Sequence, residues 1–259
     1  MRITFVGAGR VATHLAKAFQ SKHQIVQVFS RNLQHAQQLA VQVNAQAIDR
    51  ADQLNTQTDL VIVAVSDLVI VDVVESITTY LPKSLIVHTS GSTNLSVVAQ
   101  KYSRVGVFYP LQTFSFEREV DWLATPLFVE AVTQEDLFLL TDLANSLSQR
   151  VYQYSSQQRQ TLHLAAVFAC NFSNYCYDMA KQVVDAEQVD FSLLFPLILE
   201  TANKATSTDP KQMQTGPAMR GDQNILTMHQ ALLSQSHRPD LEDVYSLMSD
   251  GIYKRHHSD

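Results

Sequence analysis

Arg2-Ile3-Thr4-Phe5-Val6-Gly7-Ala8-Gly9-Arg10-Val11-Ala12 is the stretch that decides the fold. An apolar strand runs into Gly-x-Gly-x-x-Ala, and Val11, Leu15, Ala16 and Phe19 then recur at helical spacing. The pattern reads as strand, tight turn and helix. The first glycine permits the turn, the second lets a pyrophosphate approach the backbone, and the small Ala12 lets the helix pack close to a sheet. Phosphate oxygens held by Gly7, Ala8, Gly9, Arg10 and Val11 would meet free N–H groups and the positive end of a helix dipole. Glycines alone could serve any tight turn; the distance to the end of the next strand makes this one specific for a dinucleotide.

That next strand is Ile25-Val26-Gln27-Val28-Phe29, and it ends in Ser30-Arg31-Asn32. An NAD site places Asp or Glu here to accept hydrogen bonds from the ribose hydroxyls. A carboxylate would repel a 2′-phosphate, whereas a hydroxyl and a guanidinium hold one through charge-assisted hydrogen bonds. The expected cofactor is therefore NADP rather than NAD, with Ser30, Arg31 and Asn32 at its phosphate. A competing account has Ser30 and Asn32 capping the following helix and Arg31 as a solvated charge. The two can coexist at one helix start.

With 259 residues, 46% of them hydrophobic, the chain can bury a large core and suits two domains. Residues 1–153 carry 11 basic and 13 acidic side chains, and residues 154–259 carry 8 and 12. Neither half is a basic nucleic-acid surface. Ser66, Asp67 and Asp72 interrupt the richest apolar run, so no membrane span is expected. Cys170 and Cys176 lie about 9 Å apart along a helix, too far for a disulfide, which fits a reducing cytoplasm. No Cys/His cluster has metal-ligand spacing, so no metal is expected.

Further along, Leu33 to Val43 has helical periodicity, and Asp59 to Val65 is a continuous apolar run of the kind found in a strand covered on both faces. Val65, Ser66 and Asp67 at its carboxyl end should border the cofactor's ribose, or else cap the helix over Val69–Ile77. The strand Leu85–His88 opens into Thr89-Ser90-Gly91-Ser92. Only 7 glycines occur where average usage gives roughly 18, so Gly91 is expected to meet a backbone or ligand constraint. Thr89 is placed at the nicotinamide, and Ser90, Gly91 and Ser92 at the substrate; a hydroxyl-rich turn without a ligand is the alternative. Val105–Tyr109 is another strand, leading to Gln112, which is also placed at the substrate, and a strand-helix-strand set closes the region at Tyr154. The expected fold is α/β, a doubly wound Rossmann domain over residues 1–154.

From Ser155 only helical periodicity remains, over 156–184, 190–206, 222–235 and 240–256. Residues 155–259 are therefore expected to form an all-α domain. Its first helix is apolar enough to be buried on most sides, yet His163, Asn171, Asn174 and Asp178 fall within about an 80° arc at 100° per residue. A polar seam on a buried helix needs partners. It either bonds neighbouring helices or lines an interdomain cleft, with His163 and Asn171 as catalytic groups and Asn174 at the substrate. In Thr215-Gly216-Pro217-Ala218-Met219-Arg220-Gly221-Asp222, Arg220 and Asp222 are placed at the substrate, where Arg220 could hold a carboxylate or phosphate; the competing account has Asp222 capping the next helix.

Together, Val6–Ala12, Val87-His88-Thr89-Ser90-Gly91-Ser92, Phe108-Tyr109-Pro110-Leu111-Gln112-Thr113-Phe114 and Thr215–Asp222 resemble the two-domain Rossmann-like oxidoreductases with a helical C-terminal domain of unknown function. The wider group includes pyrroline-5-carboxylate reductases, prephenate dehydrogenases and the 6-phosphogluconate and β-hydroxyacid dehydrogenases. The resemblance implies NAD(P) binding and a homodimer built through the helical domain. Hydroxyacid and sugar-nucleotide dehydrogenases of that group carry Lys-x-x-x-Asn on the first interdomain helix; here Asn171 matches the asparagine, and Val167 stands in the lysine's place. His163 is the nearest titratable group on that face. The reading is an NADP-dependent oxidoreductase moving a hydride to or from a small keto or hydroxy acid or imine. The alternative is a catalytically silent NADP-binding sensor or partner-binding module.

Overall fold

The computed structural model describes residues 1–257. Eight strands form one sheet: β1 (Arg2–Val6), β2 (Gln24–Phe29), β3 (Gln46–Ile48), β4 (Leu60–Val63), β5 (Leu85–His88), β6 (Val105–Pro110), β7 (Leu127–Ala131) and β8 (Val151–Gln153). Their spatial order is β3-β2-β1-β4-β5-β6-β7-β8. All neighbouring pairs are parallel except β6 and β7. The order reverses between β1 and β4, which opens a crevice at their carboxyl ends, where doubly wound sheets bind ligands.

Helices α1 (Arg10–Phe19), α2 (Leu33–Gln42), α3 (Ile70–Thr78), α4 (Leu95–Ala99) and α5 (Gln134–Asn145) connect the strands. Because side chains alternate across a strand, the sheet feeds two cores. Ile3, Phe5, Leu60, Ile62, Leu85 and Val87 join α1, α2 and α5 on one face. Val6, Val61, Val63, Ile86, Val107 and Tyr109 join α3 and α4 on the other. The buried polar Gln27 is fully used: its amide nitrogen donates to Gln46 Oε1 (3.0 Å) and Gln53 O (2.9 Å), and its oxygen accepts from the Asn55 amide (2.7 Å).

The chain then continues as α6 (Ser156–Ala166), a π-helical turn over Val167–Phe172, and α7 (Ser173–Ala186). After a 3-10 turn come α8 (Phe195–Ser207), α9 (Pro217–Arg220), α10 (Gln223–Gln235) and α11 (Pro239–His257). Two compact units result, Met1–Asn171 and Phe172–Asp259. The division falls beyond the change of periodicity at Ser155 because the first turns of α6 are bonded to the sheet. The Ser156 amide and hydroxyl donate to Glu130 on β7 (3.0 and 2.8 Å), and Gln160 donates to Ser92 O (2.7 Å).

The apolar composition of the helix beginning at Ser156 predicts burial on most sides, and the structure corrects this: Leu164, Phe168 and Phe172 are exposed on the single chain. The second unit repeats the pattern: among its described residues only Ala218 and Leu241 are buried apolar side chains, while Phe195, Leu197, Leu199 and Leu247 stand exposed. Its helices are joined by polar contacts, including His229 Nδ1 with the Tyr245 hydroxyl (2.9 Å) and Arg238 donating to Gln182 (2.7 Å).

Candidate active site

The β1–α1 turn is built to bring backbone close to backbone. Gly7 has φ +106° and donates to Phe29 O (2.8 Å), and a Cβ there would lie 2.3 Å from Ala64 O. Gly9 faces open space: a methyl group added to it would meet nothing within 4 Å. No side chain caps α1, and no acidic residue sits in its first turn. Free amides, a helix dipole and a bare glycine together suit the pyrophosphate of a dinucleotide.

Beside this turn lies a cavity of about 410 Å³, lined in part by Gly7, Ser30, Arg31, Asn32, His35 and Ser66. Arg31 and His35 are its titratable lining residues, and no carboxylate faces it. Asn32 Oδ1 accepts from the Gln34 and His35 amides (3.0 and 3.3 Å), and Ser30 Oγ accepts from the Asn32 amide (3.3 Å). Capping therefore accounts for Asn32, while Arg31 stays exposed at the rim. Val65 and Ser66 also line the cavity, and the Ser66 side chain caps nothing. Asp67 lies outside this lining and accepts a hydrogen bond from the Ser92 hydroxyl.

At the carboxyl end of β5 the loop turns on Ser90, whose hydroxyl accepts from the amides of Ser92 (3.1 Å) and Thr93 (2.9 Å). Thr89 donates through its amide to Val63 O (3.2 Å), pinning the loop beside β4. Gly91 is the seat of an aromatic pair. A Cβ on it would lie 2.6 Å from His163 Nδ1 and 2.9 Å from Tyr109 Cζ. The Tyr109 hydroxyl and His163 Nδ1 are 3.1 Å apart, with the rings edge to face.

A buried cation supports this pair from below. Arg159, one turn before His163 on α6, is 1% exposed; it donates to Thr93 O (2.7 Å) and Ser156 Oγ (3.1 Å) and lies 3.3 Å from Glu130. Its Nε and Nη1 have no hydrogen-bond partner among the described residues, and desolvation lowers its pKa. Burial, and then the Arg159 charge, push His88 down to about 3. His88 Nδ1 accepts from the Ser90 amide (3.2 Å), so this neutral imidazole carries its proton on Nε2. Burial pushes the Tyr109 phenol up to about 12 against the opposing pull of Arg159. The phenol thus stays protonated and can donate.

The first unit brings together Gly7 to Val11, Ser30 to Asn32, Val65, Ser66, Thr89, Gly91 and His163. Ser90 is drawn into its own turn, 5% exposed, and Gln112 into a local bond with the Thr113 amide (2.8 Å). Asn171 ends the first unit and is exposed; Asn174, Arg220 and Asp222 belong to the second. Asp222 Oδ1 caps α10 through the Ile225 amide (3.4 Å), as its competing account held, and Arg220 is exposed. Sequence reading missed His35, Tyr109 and Arg159 as parts of the site. The spacing of Arg159 and His163, four residues apart on one helix, was the signal available for the third.

Residues 2–91 match the family described as NADP oxidoreductase, coenzyme F420-dependent, and residues 125–252 match a domain of unknown function, DUF2520. A Bacteroides fragilis protein assigned as a candidate NADP oxidoreductase is 40% identical, with 98% of each chain covered and a TM-score of 0.92. The chain belongs to this family of two-domain NADP oxidoreductases. Among more distant folds, a Myxococcus stipitatus imine reductase in complex with NADP+ aligns at 16% identity, covering 98% of this chain and 92% of its own, with a TM-score of 0.68. A Plasmodium falciparum pyrroline carboxylate reductase with NADP bound aligns at 14% identity, covering 99% and 98%, with a TM-score of 0.53. No curated protein matches the chain. Among the described residues no helix is long and apolar enough to cross a membrane.

Proposed function

We propose that this oxidoreductase uses NADPH in preference to NADH to reduce a small polar carbonyl or imine, or runs the reverse oxidation. The observation that carries the cofactor choice is the cavity at the end of β2, which offers Ser30, Arg31 and His35 and no carboxylate. A bound nicotinamide supplies the hydride. The chain's own part is to seat the pyrophosphate on the Gly7–Val11 turn, hold the 2′-phosphate at Arg31, and deliver a proton. His163 is the proton donor in this reading, since hydride addition leaves an oxygen or nitrogen that must be protonated by a positioned side chain. Its position above Gly91, at the end of β5 and beside β4, supports that role.

Residues 155–259 serve substrate binding and pairing of two chains, with Asn171, Asn174 and Arg220 as substrate groups. The exposed apolar side chains of that region support the pairing. The two cysteines, both unpaired, suit the cytoplasm. Val167, where related enzymes carry an acid/base lysine, favours a second reading, a silent NADP-binding module. Screening NADPH oxidation against keto acids and cyclic imines separates the two.

The cofactor reading is tested by titrating NADPH and NADH. NADPH is expected to bind more tightly, and Arg31→Ala to cost roughly 1.5–3 kcal/mol for NADPH and little for NADH. Equal affinities in the unmodified chain would overturn it.

A further inference from the structure

We propose that Tyr109 is the positioning residue that sets His163 as an Nε2–H donor, so that a single, outward proton is presented to the substrate. The inference rests on the reading of His163 as the proton donor. Tyr109 is 8% exposed, and its hydroxyl has one hydrogen-bond neighbour among the described residues, His163 Nδ1 at 3.1 Å. If Nδ1 carried the proton of the neutral ring, the phenol would have to accept there, and its own O–H would be a donor without an acceptor. If Nδ1 is bare, the phenol donates to it and both groups are satisfied. The second arrangement is favoured by the cost of an unmade buried hydrogen bond, which corresponds to a tautomer bias of roughly 5- to 150-fold. The imidazole proton then resides on Nε2, an atom that makes no hydrogen bond among the described residues.

The surroundings fix the phenol in that role. Burial keeps it protonated, with its pKa pushed up to about 12. Gly91 permits the approach, because any side chain at that position would collide with both rings. Arg159 holds α6 to the loop at Thr93 and so holds His163 over the phenol.

The test reads the tautomer directly and needs neither cofactor nor substrate. In the full-length chain with 15N-labelled histidine, the His163 signals are assigned by their loss in His163→Gln. With the ring neutral, Nδ1 is expected to give a bare, pyridine-type nitrogen signal and Nε2 a protonated, pyrrole-type one. In Tyr109→Phe, which keeps the ring over Gly91, the Nδ1 signal should move as its hydrogen bond is lost, and both nitrogens should shift toward the values of a tautomer mixture. Protonated Nδ1 in the unmodified chain, or His163 signals unchanged in Tyr109→Phe, would overturn the proposal. If the tautomer behaves as expected while His163→Gln leaves turnover intact, the proton-donor reading fails and the tautomer assignment stands.

Discussion

His163 owes its place to a residue on the other side of the site, Gly91. The sequence marks Gly91 as unusual through the scarcity of glycine, and assigns the constraint to a ligand or a backbone. The constraint is the ring pair above it, a contact between distant parts of the chain that no local pattern encodes. His163→Gln is expected to lower turnover by roughly 10²–10⁴-fold with cofactor binding preserved. Gly91→Ala should produce part of the same loss by pushing the ring aside, since misplacement of about 1 Å can cost 10²-fold. Steady-state kinetics and NADPH titration of both variants check this. His88 gives a separate, pH-dependent signature. Its folded pKa, about 3, lies far below the unfolded value of about 6.5. The unfolded chain therefore binds the extra proton between those values, and stability falls as the pH drops below about 6.5. From pH 7 to pH 5 this one group should remove about 2 kcal/mol, a figure that depends only on its folded pKa lying well under 5. Urea unfolding across that range should show the slope in the unmodified chain and a shallower one in His88→Asn.

Elements were more legible than contacts. The strand-turn-helix start, the Leu85–His88 strand, and the helices around Leu33 to Val43 and Ile70 to Thr78 follow the hydrophobic period closely. Three features escaped it. β3 is three residues long and shows no alternation worth reading. The π-helical turn at Val167–Phe172 leaves no mark in composition, although it changes the rotation per residue on which the arc of His163, Asn171, Asn174 and Asp178 was reckoned. The antiparallel β6–β7 pairing depends on which edge the chain returns to, a choice made by packing. That pairing carries weight at the site, because β7 supplies the Glu130 that grips α6. Gly106 on β6 leaves room for it: a Cβ there would lie 2.7 Å from Glu130 O and 2.8 Å from Leu140 Cδ1. Gly106→Ala should destabilise the fold by about 1–3 kcal/mol, as overpacking does, and urea midpoints measure it. A variant as stable as the parent would mean that β6 and β7 separate more easily than this spacing implies.

For the whole molecule, the sequence announced two regions and the change from mixed to purely helical periodicity. What it could not announce is how little of its own apolar surface the helical region covers. An apolar helix reads alike whether its own chain or another chain buries it. Phe195, Leu197, Leu199 and Leu247 are large exposed apolar side chains, and pairing about a two-fold axis is the commonest way soluble chains cover such groups. Light scattering should report a dimer at micromolar concentration, and truncation before Phe172 should leave a monomer. A monomeric full-length chain would count against the pairing. If the chains pair through these helices, heat resistance becomes a collective property. Where folding and association are linked, melting obeys mass action, so Tm should climb as the protein is concentrated and fall on dilution, and a single quoted melting temperature would be meaningful only beside the concentration at which it was taken.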